Sequence, residues 1–392
     1  VIDRHDILRT GIAWQGLEQP VQVVRRRARL LLNIVEFDAS AGDIATQLEE
    51  RFDPRHYRLN VSQAPLLQAH AAHDAAQDRW VLLVLAHHLA IDHTTLELLV
   101  EEANLIEQGR AAELAAPAPF RNFVAQARLG VSPQEHEAFF RQMLGDIEEP
   151  TAPFGLLDVQ GDGSDIDEAR QLLPQALSGA IRARARSLGV SAASVFHLAW
   201  ALVLARTASR ADVVFGTVLF GRMQGGESAD RVLGMFINTL PVRVSVGDQP
   251  LVDSLKQVHQ LLAQLLKHEH APLALAQRCS AVPAQTPLFS ALLNYRHTHG
   301  SGDVIDPDGE IQGIGGHERT NYPLSLSVDD LGEDFQLTVQ VQASVSAQRV
   351  CAFMYTALEQ LLQASLHAPV HRLDVLPEAE RDQLLEQFNA TA

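Results

Sequence analysis

A buried strand that ends on two histidines and leads into a helix constrains this chain more than any other stretch. Residues 81–86 form an unbroken apolar run of strand length, which is typical of a strand buried on both faces. His87 and His88 follow directly, and Asp92 comes four residues after the second histidine. Apolar residues then recur at helical spacing over residues 96–103, with glutamates on the other side. The pattern predicts a strand, a polar turn and a helix, with imidazoles at the end of the strand.

This group of side chains has a definite chemical use. An imidazole can accept a proton from an amine or hydroxyl that attacks a carbonyl, because its pKa lies near neutrality. A carboxylate one turn away usually fixes the geometry of such a site, most effectively when an arginine binds it. Zinc ligation is disfavoured, because adjacent histidines on a strand point to opposite faces and the spacing is not the i, i+4 of a helical zinc site. The residues therefore predict an acid–base or acyl-transfer enzyme and leave its substrate open.

Composition and charge exclude several classes of function. The chain has 392 residues, enough for two domains, and 46% of them are hydrophobic. Its formal net charge of −17 argues against nucleic acid or an anionic membrane as a partner. No apolar run approaches the length of a membrane span, and the N-terminus does not resemble a signal peptide. Because Cys279 and Cys351 are its only cysteines, we expect no disulfide framework and a cytoplasmic location.

A change of composition predicts the domain organisation. Residues 148–167 are rich in proline, glycine and aspartate, which is typical of a linker between domains. We therefore predict a first domain over residues 1–158 and a second domain over residues 159–376. Residues 377–392 are typical of a linker towards a following domain. The first residues have the pattern of an amphipathic helix already under way, so we expect further residues upstream.

Several stretches together resemble one family, the condensation domain of non-ribosomal peptide synthetases. Residues 87–93 resemble the family's HHxxxDG signature, and residues 4–10 resemble its RHxxLRTxF motif. The later motifs of the family resemble residues 214–222 with 234–243, residues 287–296, and residues 321–326. Each motif alone is weakly specific, but their expected order along nearly the whole chain is highly specific. The opening SxAQxRLW motif of the family is absent.

The resemblance implies an α/β fold of mixed sheets and helices. Its two lobes, each similar to chloramphenicol acetyltransferase, would form a V with a tunnel between them. Two carrier proteins would present thioesters on phosphopantetheine arms from opposite faces of the tunnel. The acceptor's α-amine would attack the donor's thioester carbonyl and form an amide. The resemblance also implies an adenylation domain in the same polypeptide, no metal, and no cofactor bound by the domain itself.

The same resemblance assigns roles to residues of the site. His88 is the candidate catalytic residue, either as the acceptor of the amine proton or as the group that positions the amine and steadies the tetrahedral intermediate. Asp92 would support the structure through an ion pair with an arginine, and Arg4 ranks before Arg9 as that partner. His87 would face the core in a structural role.

Four further residues are expected to line the substrate tunnel. His93 stands where the family usually has glycine, so its imidazole would narrow the tunnel or add a hydrogen-bond donor. Asn238 and Gly234 lie in the stretch that would form the tunnel floor, and Tyr295 lies in a late motif. These assignments come from the resemblance and not from residue spacing.

Four alternatives stay open. An epimerisation domain shares the two histidines, but residues 234–243 carry the condensation pattern where that class has a glutamate-bearing motif. A free-standing acyltransferase with coenzyme A and a hydroxyl acceptor also fits the site, but the linker pattern at the C-terminus favours a domain of an assembly line. A starter-type condensation domain would instead join a fatty acyl group to the first amino acid. The intact His88 and Asp92 argue against a non-catalytic platform.

Overall fold

The chain divides into two compact units. The computed structural model describes residues 1–54, 56–161, 165–222, 231–297, 313–314 and 320–387. Unit 1 consists of Val1–Leu129 with Gly221–Ile237, and unit 2 consists of Gly130–Phe220 with Asn238–Ala392. The mixed α/β fold predicted from the sequence is confirmed. The V shape and the tunnel stay predictions.

This division differs from the predicted boundary after residue 158. The predicted linker starts within unit 2, because the Thr151 backbone N–H donates to the Leu288 carbonyl at 3.3 Å and Thr151 forms a β-bridge with Phe289. Within the predicted C-terminal linker, Glu378–Asp382 and Gln383–Gln387 are helical. An ion pair between Arg349 and Glu380 holds this helical end to unit 2. The proline- and aspartate-rich composition therefore marks a segment that packs within unit 2 at Thr151, whereas the assignment of residues 377–392 as a linker stays a prediction.

Unit 1 combines two small sheets with helices. Its strands and helices, in chain order, are β1 (Thr10–Ala13), β2 (Val21–Val24), β3 (Leu32–Ile34), α1 (Ile44–Arg51), β4 (Leu67–Asp74), β5 (Arg79–Ala86), α2 (His93–Glu107) and α3 (Phe120–Leu129). Strands β1 and β2 form an antiparallel pair. In the other sheet β4 is central, parallel to β3 and antiparallel to β5. Strand β5 therefore delivers the two histidines from the edge of a three-stranded sheet.

The prediction that residues 81–86 are buried on both faces is wrong. Val81 packs with Ile44 and Leu48 of helix α1 in one small core. Leu82 and Val84 point to the opposite face, where they are 58% and 44% exposed. An apolar run alone does not distinguish a strand covered on both faces from a strand covered on one, and here the helix covers one face.

Unit 2 is built on a six-stranded sheet with the order β6-β11-β10-β9-β7-β8. Its strands and helices, in chain order, are α4 (Pro133–Leu144), β6 (Ile166–Leu172), α5 (Gln175–Leu188), α6 (Ala192–Thr207), β7 (Asp212–Leu219), β8 (Asn238–Ser245), α7 (Leu251–Lys267), α8 (Leu273–Arg278), β9 (Ala291–His297), β10 (Leu324–Asp330), β11 (Phe335–Gln342), α9 (Ala347–Gln363) and α10 (Glu378–Asp382). Strand β9 runs parallel to both β7 and β10, and the other pairings are antiparallel. The fully buried Phe196 and Trp200 place α6 in the main core.

Helix length and hydropathy bear on a membrane-spanning role. Within the described ranges, no single helix is long and apolar enough to cross a bilayer. The pair α5 and α6, bent by 108° where the two helices meet, reaches the length and apolar composition of a membrane span only when both helices are taken together.

A buried histidine in α6 makes the stability of unit 2 depend on pH. His197 Nδ1 lies 2.7 Å from the Ala193 carbonyl, and its Nε2 lies 2.8 Å from the Thr217 hydroxyl. The carbonyl can only accept, so Nδ1 carries the proton and Nε2 accepts from Thr217. Burial lowers the pKa of His197 to about 4, although its hydrogen bond to the Ala193 carbonyl acts in the opposite direction. The ring is therefore neutral in the folded protein.

We predict a loss of stability in acid that depends on His197. Between pH 6.5 and about 4 the unfolded chain binds a proton that the folded chain excludes, so the free energy of unfolding falls as the pH falls. The contribution of this one residue is about 3 kcal/mol across that window. Urea unfolding of His197→Gln and the parent from pH 4.5 to 7 should give a flatter profile for the variant. The exposed His367→Gln should keep the parental slope, and equal slopes for His197→Gln and the parent would contradict the assignment.

Candidate active site

The turn between β5 and α2 holds the two histidines. Strand β5 ends at Ala86, the His87 backbone N–H donates to the Leu66 carbonyl at 3.1 Å, and the Ala90 N–H donates to the His87 carbonyl at 3.0 Å. Helix α2 then starts at His93. The predicted order of strand, polar turn and helix is therefore the observed one.

A backbone carbonyl fixes the ring of His88. Its Nδ1 lies 3.0 Å from the carbonyl oxygen of Ile91. Because a carbonyl can only accept, Nδ1 must carry the proton. In the neutral imidazole Nε2 is then the basic atom. His88 itself is exposed, so this basic nitrogen belongs to a side chain that a substrate can reach.

His87 has the opposite tautomer. Its Nδ1 accepts a hydrogen bond from the Leu89 backbone N–H at 3.1 Å, so the proton of the neutral ring is on Nε2. Burial lowers the pKa of His87, and the charge that His88 can carry lowers it further. His87 is half-buried and neutral, and its ring stabilises the turn.

Asp92 is a buried cap of helix α2 and the acceptor for two further groups. Its Oδ1 accepts from the Thr95 backbone N–H at 2.8 Å, which satisfies a free N–H of the first helical turn. The Arg222 guanidinium donates through Nη2 to both Asp92 oxygens, at 3.0 and 3.1 Å, and the Phe236 N–H donates at 3.2 Å. Both side chains of the ion pair are only 2% exposed. The carboxylate is therefore a structural group with its acceptor capacity in use.

The predicted partner of Asp92 is wrong. Arg4 donates through Nε to Glu102 at 3.1 Å and through Nη2 to the Ala115 carbonyl at 2.8 Å. Arg9 donates to the backbone carbonyls of Arg25 and Arg26. The true partner, Arg222, is 130 residues away in sequence, and no spacing rule connects the two. The sequence feature that could have identified Arg222 is its position just after strand β7, within the motif that follows that strand.

Glu102, and not Asp92, is the acidic partner of Arg4 in the opening motif. His5 Nε2 lies 2.8 Å from the same Glu102 oxygen that Arg4 contacts. Burial acts to raise the pKa of Glu102, but the hydrogen bonds and charges of His5 and Arg4 outweigh it and lower that pKa. The motif therefore anchors helix α2 at a second point, near its middle.

The residues predicted to line a tunnel have different surroundings in the two units. In unit 1, His93 is the exposed first residue of α2, with Nε2 3.2 Å from Glu97 Oε1. Gly234 is buried with φ of +156°, and a Cβ there would lie 2.2 Å from the ring of Phe120. Gly234 therefore serves close packing, and its part in a tunnel stays a prediction, as does that of His93.

The other two predicted tunnel residues lie in unit 2. The Asn238 amide donates to the carbonyls of Glu269 and Ala271, at 2.7 and 2.8 Å, and so joins the start of β8 to the turn between α7 and α8. The Tyr295 hydroxyl donates to Asp330 at 2.7 Å. Burial and this hydrogen bond raise the pKa of Tyr295, so its phenol stays protonated. For both residues contact with a substrate stays a prediction.

The arrangement suits proton transfer and hydrogen bonding. In the part of the chain that the structure describes, no three or more His, Cys, Asp or Glu side chains are grouped so as to hold a metal ion. His88 offers a basic nitrogen, and the backbone of the turn fixes its tautomer. Such a group can accept or orient a proton of an attacking amine.

These features define a two-unit α/β protein with a histidine site built on a helix-capping aspartate. The family model of the condensation domain matches residues 1–385, and the chain belongs to that family. Condensation domains of non-ribosomal peptide synthetases form amide bonds.

Curated relatives agree with the family, and solved structures agree with the fold. The chain is 48% identical over 398 residues to malpinin synthetase of Mortierella alpina, and 29% identical over 423 residues to one of the linear gramicidin synthase proteins of Brevibacillus parabrevis. All of the chain aligns in both cases, but it spans only 5% and 8% of those proteins. Its fold is similar to the condensation domain of the monacolin K polyketide synthase MokA, with a TM-score of 0.72, 20% identity, and 96% and 88% of the two chains covered. The four-domain synthetase AB3403 gives a TM-score of 0.76 at 15% identity, with 97% of this chain and 30% of that one covered.

We predict strong energetic coupling between Asp92 and Arg222. Removal of either partner leaves a buried charge without its counter-ion, so Asp92→Asn or Arg222→Met should each cost about 3–5 kcal/mol of unfolding free energy. The double variant should cost much less than the sum. Urea unfolding of the four proteins in the cycle measures this coupling.

A second cycle provides the control. Asp92→Asn combined with Arg4→Met should be additive, because Arg4 is bound to Glu102. A coupling with Arg4 that exceeds the coupling with Arg222 would restore the original sequence prediction and overturn this assignment.

Proposed function

We propose that this chain forms an amide between two substrates held on carrier proteins. The donor is an acyl or aminoacyl thioester, and the acceptor is the α-amine of an aminoacyl thioester. The observation that carries the proposal is the fixed tautomer of His88, whose Nε2 is the basic atom of an accessible ring. The family of the chain and its similarity to peptide synthetases support this chemistry.

The reaction requires the protein mainly to position the amine against the thioester carbonyl. The amine nitrogen attacks the thioester carbonyl, the C–N bond forms, the C–S bond breaks, and the thiol leaves with a proton. His88 Nε2 accepts a hydrogen bond from the attacking amine and directs its lone pair at the carbonyl. Orientation of this kind supplies a large part of the rate in many bimolecular reactions. The same nitrogen can take the proton that the amine loses as the new bond forms.

The Asp92–Arg222 pair serves the reaction indirectly. Asp92 follows Ile91, whose carbonyl holds His88 Nδ1, so the cap of α2 and the ring orientation share one short segment of backbone. The carboxylate is buried and occupied by the guanidinium, which excludes it from proton transfer. Its contribution is the geometry of the turn.

The substrates arrive on phosphopantetheine arms, and the domain binds no cofactor of its own. The partners we propose are an upstream and a downstream carrier protein, with an adenylation domain in the same polypeptide and a cytoplasmic location. The similarity to long synthetases supports the partner domains, because each of those proteins is many times longer than this chain.

We predict that amide formation depends on His88. Two carrier proteins, one loaded with an acyl donor and one with an amino acid, are mixed with the chain, and the product is measured by intact-protein mass spectrometry. His88→Ala should lower the rate by about 10²–10⁴-fold, the range of a positioned acid–base group. His73→Ala is the matched control, since it removes an exposed histidine from the neighbouring strand β4 and should leave the rate unchanged.

A second variant separates the two roles of His88. His88→Gln retains an amide near the position of Nε2 but has no basic nitrogen. Retained activity would assign a positioning role, and loss would assign proton transfer. Full activity of His88→Ala would contradict the proposed site. Exchange of the α-proton without amide formation would indicate epimerisation, and transfer only from an acyl-coenzyme A or acyl carrier donor would indicate the starter type.

A further inference from the structure

We propose that Thr95 is a positioning residue for His88, which acts through the Asp92–Arg222 pair. The inference rests on the proposed role of His88 and adds a residue to it. Thr95 lies in the first turn of α2 and is fully buried. Its side chain links the helix that follows His88 to Gly221–Ile237, the late segment that belongs to unit 1.

The hydroxyl of Thr95 uses all of its hydrogen-bonding capacity. It donates to the Gly234 carbonyl at 2.7 Å, accepts from the Gly234 N–H at 2.9 Å, and accepts from Arg222 Nη2 at 3.2 Å. A hydroxyl has one donor and two acceptor positions, so these three partners satisfy it completely. The arrangement fixes the position of Gly234 and the direction of the guanidinium at the same time.

The contacts of Thr95, Asp92 and Arg222 close a triangle. Asp92 Oδ1 accepts from the Thr95 backbone N–H, and one nitrogen of Arg222 donates to both the carboxylate and the hydroxyl. The carbonyl of Ile91, one residue before Asp92, holds His88 Nδ1. A displacement of Thr95, Asp92 or Arg222 would therefore also move the Ile91 carbonyl, which accepts from His88 Nδ1 and sets its tautomer.

The chemistry at this position requires a hydroxyl group. Valine has nearly the same shape but cannot bond to Gly234, so a buried N–H and a buried carbonyl would lose their partner. Gly234 has little room to adjust, because the ring of Phe120 fills the space beside its Cα. Serine keeps the hydroxyl and loses only the methyl group that restricts its rotamer. The pair Thr95→Val and Thr95→Ser thus separates the hydrogen bonds from the volume.

The tautomer of His88 gives a direct readout that does not need a working enzyme. Long-range ¹H–¹⁵N spectra of the chain with ¹⁵N-labelled histidine should show the proton of His88 on Nδ1 in the parent. Thr95→Val should move His88 towards a mixture of tautomers, and Thr95→Ser should restore the parental state. His197, also protonated on Nδ1 but located in unit 2, should be unchanged and serves as the internal control.

Kinetics provide the second readout. Thr95→Val should lower kcat for amide formation about tenfold and leave KM for both carrier proteins within about twofold, because orientation and not binding is lost. Thr95→Ser should recover most of the rate. Thr94→Val is the matched control, since among the described residues the Thr94 hydroxyl has no hydrogen-bond partner.

The outcomes distinguish this inference from the proposed function. A parental tautomer and parental kcat in Thr95→Val would overturn it. So would a lower melting temperature with unchanged kcat per folded molecule, which a purely structural role predicts. If the parent forms no amide but Thr95→Val still shifts the tautomer of His88, the positioning role stands and the proposed function fails.

Discussion

The buried ion pair between Asp92 and Arg222 is the constraint on which the rest of the site depends. Removal of both charges from water is costly, and the attraction between them offsets that cost only when the remaining donors and acceptors are satisfied. Here the carboxylate also accepts from two backbone N–H groups, and the guanidinium donates to the Val232 carbonyl and lies 3.9 Å above the Phe236 ring. These contacts bind Arg222, Val232 and Phe236 to the start of α2. They agree with the assignment of Gly221–Ile237 to unit 1, although in sequence it lies between two neighbouring strands of the sheet in unit 2.

The same carboxylate determines where α2 begins. As N-cap it satisfies a free N–H of the first turn, and its charge lies at the positive end of the helix dipole. The helix start, the long-range ion pair and the preceding turn are consequently one unit of structure. We therefore expect a substitution at any of these points to change the orientation of His88, although none of the three groups needs to touch a substrate.

Local features of this region could be predicted from the sequence, and long-range ones could not. The strand that ends before His87 and the helical periodicity of α2 depend on neighbours within a few residues, and both elements are observed. The partner of Asp92 depends on the path of the chain between two strands of another unit. Arg4 was the reasonable candidate from its motif, yet Glu102 holds it. The prediction that β5 is buried on both faces was wrong for a similar reason. The residue pattern of a strand does not reveal how many layers pack on it.

The two adjacent histidines illustrate how backbone contacts create chemical difference from identical side chains. Strand geometry alone predicts that they point apart, but it assigns no chemistry to either. The Leu89 N–H donates to His87 Nδ1, which must therefore be unprotonated. The Ile91 carbonyl accepts from His88 Nδ1, which must therefore be protonated. Burial lowers the pKa of His87, so it stays neutral and places no positive charge beside its neighbour. A neutral neighbour and a fixed tautomer together leave His88 with one basic nitrogen whose orientation the backbone sets, which is the property that an amine-directing group needs.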